Sequence, residues 1–239
     1  MGLKESGLRG SLRNVSVGID AIPDSVVYQS IIGEQEQSEG ETIDTLVDQV
    51  SAENLSANGS PTYREDGING NPAAELDGSN DEWTTSDWGL SISRPYSITT
   101  VIDVNESVSE QLILRGDKGD GTSAINYRAV WQDQDVQFLS NNALSAGSNS
   151  QDGNPMVVTA VAENGGDGEL RINGTVAATG NTGDQDFTDV VGNPLAIGSE
   201  NGSRFLDGFL SELTIADSPS SDDIDNIESS AADRNGISI

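Results

Sequence analysis

Apolar residues recur at alternate positions through most of this chain. Within residues 95–105, Tyr96, Ile98, Thr100, Ile102 and Val104 fall on one side, and Ser97, Thr99, Val101 and Asp103 on the other. That period of two belongs to a strand with one buried face. Ile125, Tyr127, Ala129 and Trp131 repeat it, and so do Met156, Val158, Ala160 and Ala162. Shorter runs predict strands over residues 25–32, 110–115, 136–139 and 169–177, the last with Leu170, Ile172 and Val176 inward. Near the end, the apolar run Leu195-Ala196-Ile197-Gly198 leads through a polar turn, residues 199–203, into a long strand over residues 204–217. There Phe205, Phe209, Leu213 and Ile215 all occupy odd positions, which predicts one shared face, with Asp207-Gly208 marking a bulge or sharp bend.

Between these runs lie turn signals. Asn164-Gly165-Gly166-Asp167-Gly168 predicts a hairpin, residues 116–121 a loop, and the Gly/Asn/Ser-rich residues 140–154 a longer polar loop. Residues 33–42 read as an acidic surface loop, and residues 43–50 as a short strand or turn. Order and disorder both stay open for residues 33–60. After Asp217, Ser218 is placed to cap a helix with Pro219 at its first position, and Ile224, Ile227 and Ala231 give that helix one apolar stripe. About ten to twelve strands with so little helix predict an all-β, antiparallel sandwich. No second domain and no fixed-period repeat is visible, so the expected division is an N-terminal arm, residues 1–24, and one sandwich with its C-terminal helix, residues 25–239.

Charge changes the picture of where such a protein works. Asp and Glu number 40 against 11 Lys and Arg, for a net charge of −29, and only Lys4 and Lys118 are lysines. Acid excess with scarce lysine suits molar salt, where charge is screened to about 3 Å and self-repulsion is weak. Such a surface repels phosphate, so no nucleic-acid partner is expected. The chain has no Cys and no His. This removes disulfides, thiolate and Ser-His-Asp chemistry and the usual zinc sites. No apolar run approaches membrane-span length, and no membrane insertion is expected.

The closing strands, read as ΦΦIG followed by F-x-x-G-Φ-x-x-E-Φ-x-I-x-D over residues 195–217, resemble those of laminin-G-like, concanavalin A-like lectin domains. An opening loop is similar too: Pro61, Tyr63, Asp66, Gly67, Asn69, Gly70, Pro72 and Ala73, then Asp77, Gly78, Asn80 and Asp81. The segment GELRINGTVAATG resembles a stretch where this family has a strand, an N-G turn and a strand. The resemblance spans about residues 25–230 and implies a jelly-roll sandwich.

Residues 1–24 differ. Lys4, Arg9 and Arg13 carry charge, Leu8 and Leu12 lie between glycines and serines, and the segment reads as an extended arm that orders on a partner. It resembles the opening of structural proteins from tailed haloarchaeal viruses and related proviruses. That resemblance implies anchoring to other virion proteins, a homo-oligomer, and display of the lectin-like domain on the virion surface.

Three chemistries are candidates. The sandwich also hosts glucanases, whose retaining mechanism needs two carboxyl groups about 5–5.5 Å apart. The nearest match is Glu75-Leu76-Asp77, but the second glutamate is missing and Gly78 ends the strand, so no hydrolase activity is expected. The resemblance implies one rim calcium as the candidate cofactor. Calcium needs six to eight oxygen ligands; candidates are Asp77, Asn80 and Asp81, then Asp117 and Asp120, then Asp184 and Asp186, each more readily read as solvated acidic surface. Sugar binding needs an aromatic face beside amide and carboxylate groups. Trp83 and Trp88, in the polar stretch EWTTSDW with Asn80 nearby, are open between rim packing and a ligand platform, whereas Trp131 reads as core.

The expected function is therefore a non-enzymatic virion protein, a turret, spike or tail fibre, attaching to host-surface glycan. A secreted or cell-surface carbohydrate-binding protein of a halophile is the alternative, and a glycoside hydrolase is third.

Overall fold

A computed structural model describes residues 22–105, 110–131, 135–148 and 154–239. Along the chain come β1 (Val26–Ile31), β2 (Thr45–Leu46), β3 (Leu55–Asn58), β4 (Thr62–Ile68), β5 (Asn71–Asp77) and β6 (Glu82–Thr85). They are followed by β7 (Tyr96–Val104), β8 (Gln111–Asp117), β9 (Ser123–Trp131), β10 (Asp135–Leu139) and β11 (Ala143–Ser148). The last are β12 (Met156–Ala162), β13 (Asp167–Ile172), β14 (Thr175–Asn181), β15 (Leu195–Ile197), β16 (Asp207–Asp217) and helix α1 (Ser221–Asn235).

The strands form two eight-stranded sheets. The first runs β14-β13-β12-β7-β16-β5-β4, with β1 continuing beside β16, and the second runs β11-β10-β9-β8-β15-β6-β3-β2. Pairing is antiparallel throughout these ladders. The expected jelly-roll sandwich is what the chain forms, because each sheet turns one apolar face inward. From β7 come Tyr96, Ile98 and Ile102, from β12 Met156, Val158 and Ala160, and from β9 Ile125, Tyr127 and Ala129, all in one continuous core. Through it runs a file of rings, Tyr28–Trp88–Phe187–Tyr96–Phe138–Tyr127, with successive centroids 5.3–6.3 Å apart. Pairs at such spacing add about 0.5–1.5 kcal/mol each beyond their burial.

Four sequence expectations need correction. In β16 a bulge between Leu210 and Glu212 shifts the register against β7. The odd-position set therefore does not share a face. Leu210 reaches the core from before the bulge, Leu213 and Ile215 from after it, and Phe209 faces the outside of the sheet. Gly208 is required for a different reason: a Cβ there would lie 2.2 Å from the Asp103 carbonyl oxygen, and its φ is +139°. Secondly, residues 169–177 are not one strand. Asn173 and Gly174 both have positive φ and turn the chain between β13 and β14, as the lectin-domain resemblance implied. That two-residue turn aligns Thr175 with Ile172 and Val176 with the outward Arg171, so Val176 is exposed, not inward. Thirdly, residues 140–154 are not all loop, because β11 pairs with β10. Lastly, Ser220, not Ser218, caps α1. Its side chain accepts from the Asp223 N–H, while the Asp223 carboxylate accepts from the Ser220 N–H, a reciprocal capping box. The stripe Ile224, Ile227 and Ala231 is buried as expected. Within residues 43–58, Thr45–Leu46 and Leu55–Asn58 pair as β2 and β3.

Helix α1 lies on the outer face of the first sheet. Ala231 and Ala232 pack on Ile68, Ala73, Val101 and Val157, with Phe209 and Ile237 at the margin. Two arginines tie helix to sheet: Arg171 of β13 donates to Glu228 and Asp225, and Arg234 donates to Glu212 of β16. Among the described residues, no helix is long and apolar enough to cross a membrane.

Candidate functional site

The helix covers only part of that outer face. Beyond it, β5, β16 and β7 lie side by side, and register aligns Glu75 with Phe209 and Phe209 with Asp103. An aromatic residue is thus flanked by a carboxylate on each neighbouring strand. Asp207 and Asn105 extend the row at one end, and together these residues line an open groove of about 350 Å³. Its floor is rigid. The Asn105 N–H donates to the Asp207 carbonyl (2.8 Å) and its side-chain amide to Asp207 Oδ2 (3.1 Å). Gln111 clamps the same corner, accepting from the Asp207 N–H (2.8 Å) and donating to the Asn105 carbonyl (2.6 Å). Arg64 enters from β4 and donates to Glu75 Oε2 (2.6 Å) and Glu39 Oε1 (3.0 Å). The Glu39 carboxyl is held below its usual pKa, first by the Glu65 N–H and then by Arg64. Half-buried Phe209 leans against the apolar patch under α1 and lines the groove. An aromatic surface with carboxylate and amide groups around it can take the apolar face and the hydroxyls of a neutral polyol.

The tryptophans are elsewhere. Trp83 is 0% exposed and Trp88 1%, so neither offers a face to a ligand. Trp83 sits on β6 with its indole N–H donating to the Ile43 carbonyl (2.8 Å). Trp88 lies in the core between Tyr28 and Phe187, and its backbone is pinned by Asn193 and Gly192. Trp83 keeps polar neighbours in sequence because Glu82 and Thr84 stand on the face of this short strand opposite to it. The side chain of Trp131 lies outside the described residues, as do Lys4, Leu8, Arg9, Leu12 and Arg13.

The proposed calcium ligands do not converge. Asp77 Oδ1 accepts from the Ser79 and Asn80 N–H groups, a local turn of which Asn80 is an exposed member. Asp81 is buried and accepts from the Ser60 N–H (2.6 Å) and the Asp77 N–H (3.1 Å). Asp117 pairs with Arg115 and accepts from Asn201 (3.0 Å). Asp120 accepts from the Thr122 N–H and hydroxyl, which hold its carboxyl below its usual pKa. Asp186 caps a 3-10 turn at Phe187–Asp189. Among the described residues, no group of three or more acidic side chains is arranged to hold a metal ion. Asp77, Asp81, Asp120 and Asp186 instead accept from nearby backbone N–H groups, and Asp117 from Arg115 and Asn201.

Sequence reasoning did not find Phe209, Asp103, Asp207 or Asn105 as a group. They come from strands far apart in sequence, and the bulge that turns Phe209 outward leaves no mark in the pattern.

No family model and no curated protein matches this chain. Its fold does have likenesses among solved structures. The binding domain of botulinum neurotoxin serotype D superposes with a TM-score of 0.62 at 16% identity, covering 88% of this chain and 53% of that one. The ligand-binding domain of the same serotype, in complex with N-acetylneuraminic acid, gives 0.58 at 16%, covering 84% and 52%. Domain 4 of AbnA, an extracellular GH43 arabinanase of Geobacillus stearothermophilus solved with arabinotriose, gives 0.59 at 16%, covering 88% and 98%. This chain spans about half the length of the toxin chains. At such identities the likeness is one of fold.

Proposed function

We propose that this protein is a non-enzymatic, lectin-like binding protein that takes neutral carbohydrate in the groove over Phe209. The observation that carries this reading is the aligned row Glu75–Phe209–Asp103 with Asn105 and Asp207 at its end. Three carboxylates along one groove disfavour an anionic sugar, since like charges at close range repel. The ligand is therefore a neutral sugar, unlike the acidic sugar bound to the serotype D toxin domain. The binding and ligand-binding domains of the serotype D toxin share the fold and support a binding role.

The further reading is that the domain is displayed on a haloarchaeal virus particle as a turret, spike or tail fibre. Residues 1–24 would anchor it to other virion proteins, and a homo-oligomer would gain avidity from weak single sites. The charge of −29 supports a molar-salt setting. The shared fold of the arabinanase domain favours the second reading, a carbohydrate-binding protein at or outside a cell surface.

The test is binding of labelled protein to intact haloarchaeal cells in molar salt, before and after stripping surface glycans. Binding that needs the glycans and falls about tenfold in Phe209→Ala supports the groove. Glycan-independent binding, or none, overturns it. Polysaccharide cleavage that disappears in Glu75→Gln would overturn the non-enzymatic reading. Deleting residues 2–20 is expected to abolish particle incorporation while leaving the sandwich folded; normal incorporation would refute the anchor.

A further inference from the structure

We infer that a second ligand site lies on the other side of α1, and that it takes a neutral hydroxylated ligand with one apolar edge, of the 6-deoxy-sugar class. A pocket of about 330 Å³ opens between the start of β1 and the helix. Ile22, Val26 and Ile227 form its apolar wall, and Gln29, Ser230 and Arg234 its polar one. That volume lies at the small end of the roughly 300–1,000 Å³ usual for small-molecule sites.

The polar wall holds an unused acceptor and an unused donor. Gln29 is only 5% exposed. Its amide Nε2 donates to Glu212 Oε1 (3.2 Å) and Thr214 Oγ1 (3.3 Å). The Glu212 carboxylate can only accept, so the orientation of the amide is fixed. Gln29 Oε1 is then left buried with no hydrogen-bond partner among the described residues. A buried acceptor without a donor is costly, and such an atom calls for a partner. Arg234 donates through Nε to Glu212 Oε2 (3.1 Å) and through Nη2 to Glu212 Oε1 (2.6 Å). Its Nη1 makes no hydrogen bond among the described residues.

Gln29 and Arg234 thus meet on the same carboxylate oxygen. One presents an acceptor and the other a donor beside it. A hydroxyl is the single group that serves both, donating to Gln29 Oε1 and accepting from Arg234 Nη1. Glu212 already neutralises Arg234, so the site has no net charge to attract an anion. The wall of Ile22, Val26 and Ile227 suits a methyl group where an ordinary hexose carries its exocyclic hydroxyl.

This site differs from the groove over Phe209 in every lining residue, so the two can fail separately. The test is an NMR titration of the full chain in molar salt with L-fucose and L-rhamnose, and with their 6-hydroxy counterparts, following the Gln29 side-chain amide and the Arg234 Nε signal. At least one deoxy sugar is expected to shift both signals saturably and to bind about tenfold more tightly than its 6-hydroxy counterpart. Ser230→Trp and Asn226→Trp, which fill the pocket mouth from helix positions that are not buried, are expected to remove the shifts while circular dichroism stays unchanged. Phe209→Ala is expected to leave them intact. No saturable shift into the tens of millimolar, equal response to the 6-hydroxy sugars, or indifference to both tryptophan variants would overturn the assignment. The first of these outcomes would mean that water alone satisfies Gln29.

Discussion

The outer face of the first sheet is one surface with two treatments. Under α1 it carries small and apolar residues, Ala73, Val101 and Val157, which allow the helix to approach closely. Beyond the helix, the same strands carry Glu75, Asp103 and Asp207 around Phe209. The same strands pair through both halves, with one register shift at the bulge between Leu210 and Glu212. Side-chain size and charge, together with the bulge that turns Phe209 outward, therefore decide where the sheet is covered and where it stays open. The covered half also holds most of its charge in pairs, Arg171 with Glu228 and Arg234 with Glu212, because a buried carboxylate must be matched.

If the covered half is core, a charge placed in it should cost most. Val157→Asp, at a position 1% exposed, is expected to lower stability by about 3–5 kcal/mol, measured by denaturant unfolding in molar salt. A loss under about 1 kcal/mol would mean that the helix is not seated there. Next, Glu212→Ala strands Arg234 and the Gln29 amide and is expected to cost about 2–3 kcal/mol, with α1 loosening first in hydrogen exchange.

Smaller still is the edge contact at Asp48, which braces β1 at the margin of the covered half. Burial raises the Asp48 pKa, but hydrogen bonds from the Ser51 side chain and from the Gln29, Val50 and Glu53 N–H groups outweigh it and hold the carboxyl below its ordinary 3.8. A lowered folded pKa stabilises the protein fully above the unfolded carboxylate pKa of about 3.9 and loses that contribution as pH falls through the lowered value. Asp48→Asn is expected to cost about 1–3 kcal/mol near neutrality, and the gap to the parent should close in acid. A gap that is constant with pH would show that the charge is immaterial. The smallest effect belongs to the open half. Glu75→Gln breaks a half-exposed pair with Arg64 and should change stability by less than about 1 kcal/mol; a larger loss would move Glu75 from the ligand surface to the framework.

The strands were legible because the face towards the core carries the larger apolar and aromatic residues, which writes a period of two even where α1 buries the other face of β7 and β12. That is why Tyr96, Ile98 and Ile102 of β7, Ile125, Tyr127 and Ala129 of β9, and Met156, Val158 and Ala160 of β12 could be assigned to one core. The helix stripe was legible for the same reason at its own period. The groove was not. Phe209 belongs to a run whose parity is broken by a one-residue bulge at Ser211, and a bulge is chosen by the partner strands. Trp83 stayed open between rim packing and a ligand platform for the converse reason, because a core residue on a short strand keeps polar neighbours.

The sequence by itself determined an antiparallel sandwich, the helix that closes it and an acid-rich surface, because each is written in local periodicity or composition. Only the tertiary structure decided which outward residues meet. Glu75, Phe209 and Asp103 lie on three strands, and Gln29 and Arg234 at opposite ends of the chain close on one oxygen of Glu212. Register and helix docking bring these groups together, and both are set by long-range packing that no local pattern records.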